Sequence, residues 1–297
     1  MRTFFGARFL LVLIALVAFA VPSLGQATAI EPCQASPTPA KSNTGTLSAA
    51  PSKVEVKSKQ TLIDASIADD PDVEKMLAPY SVKVRALNVV IGKLDGDLVR
   101  TGVGSGSMGN FVADAMRAQA KAKLGRTVDL AIMNSGGLRK SEIGSGQLRA
   151  SDIFELLPFE NALVALDVTG VQLLKLLQIV TRDAQSGARI QFKWNDQNRQ
   201  EFISGKLVDD EGQELEVDPA KMYTIVTIDY LIKLGSGAYA VLQEAKNQTP
   251  LSLTLRDGVM DYVKSETAAG RDIRPRVDNR WVQVGPGPAK SVENPDD

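Results

Sequence analysis

The sequence predicts a mixed α/β domain, and three observations carry the prediction. Two apolar runs, 128–133 (VDLAIM) and 222–228 (MYTIVTI), are too short for ordinary helices and are bounded by turn residues, as buried strands are. Amphipathic helical runs alternate with them, most clearly 170–184, where Val171, Leu174, Leu177 and Val180 point inward. Each buried run also leads out into a glycine-containing loop, and loops at the carboxyl ends of buried strands are common ligand sites in α/β folds.

The two ends of the chain differ in character from this domain. Arg2 and Arg8 precede an apolar stretch, 9–21, that is too short for a comfortable membrane span, and small residues follow at Gly25 and Ala27. Residues 1–27 therefore read as a signal peptide, and the expected location is exported, periplasmic or extracellular. Residues 28–60 are rich in Ser, Thr, Pro, Ala and Lys and read as a disordered linker, because they bury too little surface to offset their ordering entropy. Residues 285–297 read as a tail of the same kind, which leaves one domain over 61–284. The single cysteine, Cys33, cannot close an internal disulfide, and Ile30-Glu31-Pro32 before it are not the small residues that lipid attachment requires.

Charge and composition exclude several partners. The net charge of −1 becomes −3 once residues 1–27, with two arginines and no acid, are removed. A mildly acidic chain without a basic tract binds neither nucleic acid nor anionic lipid, and no stable membrane insertion is expected after signal cleavage.

In chain order, Asp69-Asp70-Pro71 is a helix start, with Val73, Met76 and Leu77 on one face. After Pro79 a second helical run, 82–91, groups Val84, Leu87, Val90 and Ile91, and Gly92 ends it. The stretch 102–110 (GVGSGSMGN) reads as a flexible connector ahead of a helix over 111–123; no Gly-Lys-Ser/Thr follows its glycines, so it is not an ATP-type phosphate loop. Residues 151–157 form a short helix stopped by Pro158, and 162–168 a strand, after which Thr169 caps the helix 170–184. Strands over 189–193 and 202–208 precede a turn at Asp209-Asp210-Glu211-Gly212, a hairpin signal. A last helix, 256–264, and an edge strand, 276–284, with Trp281, close the pattern.

The chemistry concentrates in the loops. After 128–133 come Asn134, Ser135, Gly136 and Gly137, then Arg139. Two glycines admit close approach of a ligand to backbone N–H groups, and an arginine fork grips a phosphate or carboxylate through two hydrogen bonds. Taken alone, the stretch fits a ligand loop and an ordinary glycine turn with a surface arginine equally well. After 222–228 the chain reaches Gly235-Ser236-Gly237-Ala238-Tyr239. Phe159, between a proline and charged residues, reads either as core, the usual place for such a ring, or as an exposed ring; facing Tyr239 across a slot, it would sandwich a flat heteroaromatic, worth roughly 1–3 kcal/mol per stacked base. With Arg139 and Asn134 at the polar end, such a slot suits a nucleotide or nucleoside.

Absences matter as much. The chain contains no histidine, which excludes a histidine base, a serine–histidine triad and histidine-ligated zinc. The lone cysteine excludes a thiolate cluster. No catalytic residue is assigned.

Six motifs, in order, carry a resemblance: DDPDVEKMLAPYSVKVRALNVVIG (69–92), MGNFVADAMR (108–117), MNSGGLR (133–139), LLPFENAL (156–163), YTIVTIDYLIKLGSGAY (223–239) and DIRPRVDNRW (272–281). The set resembles the C-terminal, substrate-specificity domain of the secreted 5′-nucleotidase / UDP-sugar hydrolase family over about residues 60–283. The resemblance implies a layered α/β/β/α sandwich that grips a nucleotide and carries it to a metal centre. It assigns substrate contacts to Asn134 and Arg139, base stacking to Phe159, and the partner ring to Tyr239. Two departures stand out: the aspartate of the second glycine loop is missing from Gly235-Ser236-Gly237-Ala238, and an arginine usual near MGN is replaced unless Arg100 fills its role.

The resemblance does not extend to the family's metallophosphatase domain, whose two-metal site uses histidines. No cofactor is expected in this chain, with divalent metals only in a partner metallophosphatase chain. The expectation is half of a split nucleotidase that hydrolyses nothing alone. The competing readings are a free-standing nucleotide- or nucleoside-binding module and a decayed scaffold that binds nothing.

Overall fold

A computed structural model describes residue 64 and residues 66–288, apart from 236. The expected signal peptide (1–27), the expected linker (28–60) and most of the expected tail lie outside the described residues.

The described chain begins with helix α1 (Pro71–Ala86), then strands β1 (Val90–Leu94) and β2 (Leu98–Val99) and helix α2 (Gly106–Leu124). Strands β3 (Leu130–Met133), β4 (Glu142–Ile143) and β5 (Gly146–Arg149) lead to α3 (Ala150–Leu156), β6 (Ala162–Thr169) and α4 (Gly170–Ile179). Next come β7 (Ala184–Ser186), β8 (Ala188–Trp194), β9 (Gln200–Val208), β10 (Glu214–Leu215) and β11 (Met222–Ile228). Helices α5 (Asp229–Leu234) and α6 (Ala240–Gln243), strand β12 (Asn247–Thr254), helix α7 (Leu255–Ala268) and strand β13 (Trp281–Gln283) complete it.

A five-stranded sheet, ordered β12-β6-β11-β3-β7, holds the centre. Its inner strands are the two runs singled out in the sequence: every residue of β3 is buried, and so is all of β11 after Met222. They run parallel, with Ile225 beside Leu130 and Val226 beside Ala131. β6 is antiparallel to β11, and β7 is antiparallel to β3. A second sheet, β10-β9-β8-β13, has β13 parallel to β8 at its edge. Helix α2 packs on β3 and β7, and α4 contacts both β6 and β9, so helices and sheets share one core of buried aliphatic residues. This is the mixed α/β arrangement that the sequence implies. No helix of the described residues is long and apolar enough to cross a membrane.

Four local expectations change. Instead of two helical runs divided at Pro79, α1 is one helix that passes through Pro79 and stops at Ala86. Asp70 caps it, accepting from the N–H groups of Asp72 and Val73, and its exposed course lets water serve the carbonyl that proline leaves without a donor. Val90 and Ile91 belong to β1, where the antiparallel partner β5 outcompetes helix for a β-branched run. The 102–110 stretch is not an open connector. Gly104 and Ser105 are buried, the Trp281 indole lies where a Gly104 Cβ would be, and α2 already starts at Gly106. The helix after Thr169 ends at Ile179 rather than 184, because the chain turns there into β7.

Candidate functional site

The sheet topology brings the predicted loops together. β3 and β11 are parallel neighbours, so their carboxyl ends, and the loops 134–139 and 229–239 that leave them, lie at one end of the sheet. β6 is antiparallel and begins beside the end of β11, with Leu163 opposite Ile228, which puts 157–161 at that same end. β7 also starts there, with Ala184 opposite Met133, and so delivers Asp183. β12 ends there, with Thr254 opposite Ala162.

The first loop is a short 3-10 turn over Ser135–Gly137 that starts from Asn134. Its N–H groups are mostly committed: Gly137 donates to the Asn134 carbonyl at 3.0 Å, Leu138 to Ser135 at 3.2 Å, and Arg139 to Leu156 at 2.9 Å. Gly137 is buried, whereas Gly136 is exposed and its N–H makes no hydrogen bond among the described residues. Of the two glycines expected to offer N–H groups, only Gly136 presents one outward, because the 3-10 turn consumes the other. The side-chain Oδ1 of Asn134 is buried without a partner among the described residues. An orphaned acceptor of that kind costs about 1–3 kcal/mol unless a donor reaches it.

Arg139 extends from this loop to Phe159, its guanidinium carbon 5.4 Å from the ring centroid. Phe159 is 45% exposed, unusual for a phenylalanine at the foot of a buried strand. It is not core, then, but a ring offered at the surface with an arginine beside it. Arg100 does not join them. Its guanidinium donates to the Leu138 carbonyl at 2.8 Å and supports the loop from behind.

Tyr239 reaches the same loop by another route. Its hydroxyl donates to one carboxylate oxygen of Asp183, and the other oxygen accepts from the Ser135 N–H at 3.4 Å. Asp183 thus ties the second glycine loop to the first. Burial, reinforced by Asp183, holds the Tyr239 phenol far above the usual tyrosine range, so it remains a protonated donor. With its hydroxyl committed to Asp183, Tyr239 packs its ring, partly buried, against the core. Tyr230, in the first turn of α5, lies near enough to push the Tyr239 pKa higher still and is itself 48% exposed. Phe159 and Tyr239 are not in ring contact; the ring pairs among the described residues are Phe111 with Tyr262 and Phe192 with Trp194.

Two further side chains fix the loops. Arg256 of α7 is buried, with its guanidinium 4.1 Å over the Phe154 ring, one nitrogen 3.5 Å from the Leu157 carbonyl and another on the Glu160 carboxylate. It therefore grips the chain on both sides of Phe159. Asp229 accepts from the Ala162 N–H at 3.0 Å and from Lys233 at 2.6 Å, joining the exit of β11 to the entry of β6. Burial works against its charge, but these hydrogen bonds prevail and hold its pKa below the usual carboxylate value. Gly235 takes a positive φ of 50°, and a Cβ there would collide with the Gln243 amide, so the altered second loop keeps a glycine where its turn requires one.

Asp183, Tyr230 and Arg256 were not foreseen. Asp183 precedes a three-residue strand too polar to recognise, Tyr230 stands in a helix of only six residues, and Arg256 sits at an ordinary helix start. No periodic signal marked any of them.

A cleft of about 900 Å³ lies elsewhere, against Phe111, Asp114, Arg117, Tyr262 and Arg280. Its main charges are paired internally: Arg280 with Asp114 and Asp278, Arg117 and Lys121 with Asp210, and Arg271 with Glu266. Arg276 in the same lining is exposed and forms no ion pair among the described residues. The described residues also contain no group of three or more His, Cys, Asp or Glu placed to hold a metal ion.

The family model described as 5′-nucleotidase, C-terminal domain, matches residues 90–244, just over half of the chain. The 5′-nucleotidase of Vibrio vulnificus is 34% identical over 187 residues, which are 58% of this chain and 31% of that protein. Protein UshA of Escherichia coli is 32% identical over 187 residues, 61% of this chain and 32% of that protein. The chain thus spans about a third of the length of the curated relatives it matches. Among solved structures, a 5′-nucleotidase precursor from Thermus thermophilus superposes with a TM-score of 0.60 at 23% identity, over 72% of this chain and 43% of that one, a likeness of fold. With its fold, its motif loops and the matched model in agreement, the chain belongs to the 5′-nucleotidase C-terminal domain family.

Proposed function

We propose that this chain is the nucleotide-recognition part of a 5′-nucleotidase-type hydrolysis, acting after export and together with a separate metallophosphatase chain. The observation that carries the reading is the convergence at one sheet end of an exposed ring, Phe159, an arginine fork beside it, Arg139, and an orphaned acceptor, Asn134. Phe159 supplies the face for a base. Arg139 and the free N–H of Gly136 hold the phosphate, and Asn134 accepts from a ligand hydroxyl or N–H. Tyr239 enters chiefly as a wall, locked to Asp183, with Tyr230 as the nearby free ring. Bond cleavage needs an activated water, which metals in the partner chain supply, since the described residues contain no group of three or more metal-ligating side chains and the sequence has no histidine.

The test is phosphate release from AMP and from a UDP-sugar. The chain alone is expected to release none, and addition of a metallophosphatase chain is expected to start turnover. Chelator-sensitive activity of the purified chain alone would overturn the split assignment.

A free-standing nucleotide- or nucleoside-binding protein is the second reading. It is favoured by the way the loops are braced from within this chain, through Asp183, Asp229 and Arg256. Calorimetry separates the two. Tight AMP binding that a metallophosphatase chain does not alter supports the second reading, and weak binding that the added chain strengthens supports the first.

A further inference from the structure

Helix α1 has no buried residue along its 16 positions. Five of its large apolar side chains nevertheless share one face, while Val82, 71% exposed, lies on the other. Val73, Met76, Leu77, Tyr80 and Val84 recur at helical spacing, and Leu87 at the C-cap continues the line. Those five are between 45% and 65% exposed. A helix of this length takes most of its stability in water from packing, and Pro79 in its interior removes a hydrogen bond. A formed α1 therefore requires a covering surface, and the described domain does not supply it. Residues 28–70, which precede it, carry only Ile30, Leu47, Val54, Val56, Leu62, Ile63 and Ile67 as bulky apolar side chains, scattered over 43 positions where the stripe is set within 15.

The stripe does match itself. Run antiparallel about Tyr80, it sets Val73 against Leu87 of the partner subunit and Met76 against the partner subunit's Val84. The two Tyr80 rings meet on the two-fold axis. The charges follow the same alignment. Asp72 and Glu74 occupy the first turn of α1, and Lys83 and Arg85 the last. Antiparallel pairing brings Glu74 beside the partner's Arg85 and Asp72 toward the partner's Lys83, whereas parallel pairing would set like beside like.

We propose that α1 is a self-association element, forming an antiparallel two-helix seam between two copies of this chain. The proposal is independent of the nucleotide reading, because α1 contributes nothing to the sheet end that carries Arg139 and Phe159. Sedimentation of the purified protein over a concentration series tests it. The wild type is expected to show a reversible monomer–dimer equilibrium. Tyr80→Glu is expected to be monomeric throughout with an unchanged thermal transition, since α1 buries nothing in the domain. Glu74→Arg and Arg85→Glu each weaken the dimer several-fold, and both together restore it. In a Cys33→Ser background, which removes the only native cysteine, Tyr80→Cys is expected to cross-link on oxidation. A wild type that stays monomeric overturns the proposal, including one that engages a metallophosphatase chain through the same stripe. So does a dimer that Tyr80→Glu leaves intact, or one in which the double charge reversal fails to recover what the single reversals lose.

Discussion

The guanidinium of Arg139 lies 5.4 Å from the centre of the Phe159 ring, although the two residues come from different loops and neither is buried. A contact of this kind contributes about 0.5–1 kcal/mol at an exposed site. Its larger effect is geometric. It holds a planar fork and a planar ring side by side, as a phosphate and a base are joined in one ligand. Replacing Phe159 by Ala is expected to weaken AMP binding by one to two orders of magnitude, from a stacking loss of about 1–3 kcal/mol. The same change leaves ribose 5-phosphate, which has no base, almost unaffected. Calorimetry with both ligands reads the difference.

Arg139→Ala is expected to show the complementary pattern. AMP and ribose 5-phosphate both lose about 1.5–3 kcal/mol, the range for a hydrogen bond to a charged group, while adenosine loses little. Arg139→Lys recovers only part of the loss, because an ammonium does not reproduce the two-toothed grip. The same calorimetric panel checks it.

Asp183 and Tyr239 predict a pH dependence. Folding raises the Tyr239 pKa from its ordinary value of 10.0, chiefly through burial and then through Asp183. Above pH 10 the unfolded chain releases this proton while the folded chain keeps it, so the stabilisation is complete below pH 10 and declines as pH rises through the folded value. Tyr239→Phe removes this share of the alkaline decline. It also costs about 1 kcal/mol near neutrality through the lost hydrogen bond. Thermal melts of the two proteins between neutral and strongly alkaline pH measure both effects.

Arg256 is expected to act on the ring without touching the ligand. Arg256→Met frees the Leu157 carbonyl and Glu160 and lets the segment around Phe159 shift. Stability falls by about 2 kcal/mol, as for loss of a buried charged hydrogen-bonding group. AMP affinity falls with it, while ribose 5-phosphate affinity stays. A melt and a two-ligand titration together separate this from general unfolding.

Much of the fold was legible in the sequence where burial on both faces left no alternative. β3 and β11 are continuous apolar runs, and a strand enclosed by neighbours has no polar face to confuse the pattern. Thr169 could be recognised as a cap because a hydroxyl ahead of an apolar helical run has a local job, and it does accept from the Gln172 N–H. Segments fixed by distant partners were harder. β1 becomes a strand because β5 lies beside it, and Ala184–Ser186 is a strand only through β3. At the site, Asn134, Arg139 and Phe159 carried enough local character to be named. Asp183 did not, because its importance comes from joining Ser135 to Tyr239, residues 48 and 56 positions away. Nothing local in Gly235-Ser236-Gly237-Ala238-Tyr239 marks the Tyr239 hydroxyl as bound to Asp183, which lies 56 positions away.

Backbone amide shifts during a titration with AMP test the central claim most directly. The account predicts perturbations concentrated in 134–139, 157–161 and 229–239, with Gly136 among the largest, and their collapse in Phe159→Ala. Shifts confined to the cleft between α2 and α7, or no shifts at saturating AMP, would contradict it.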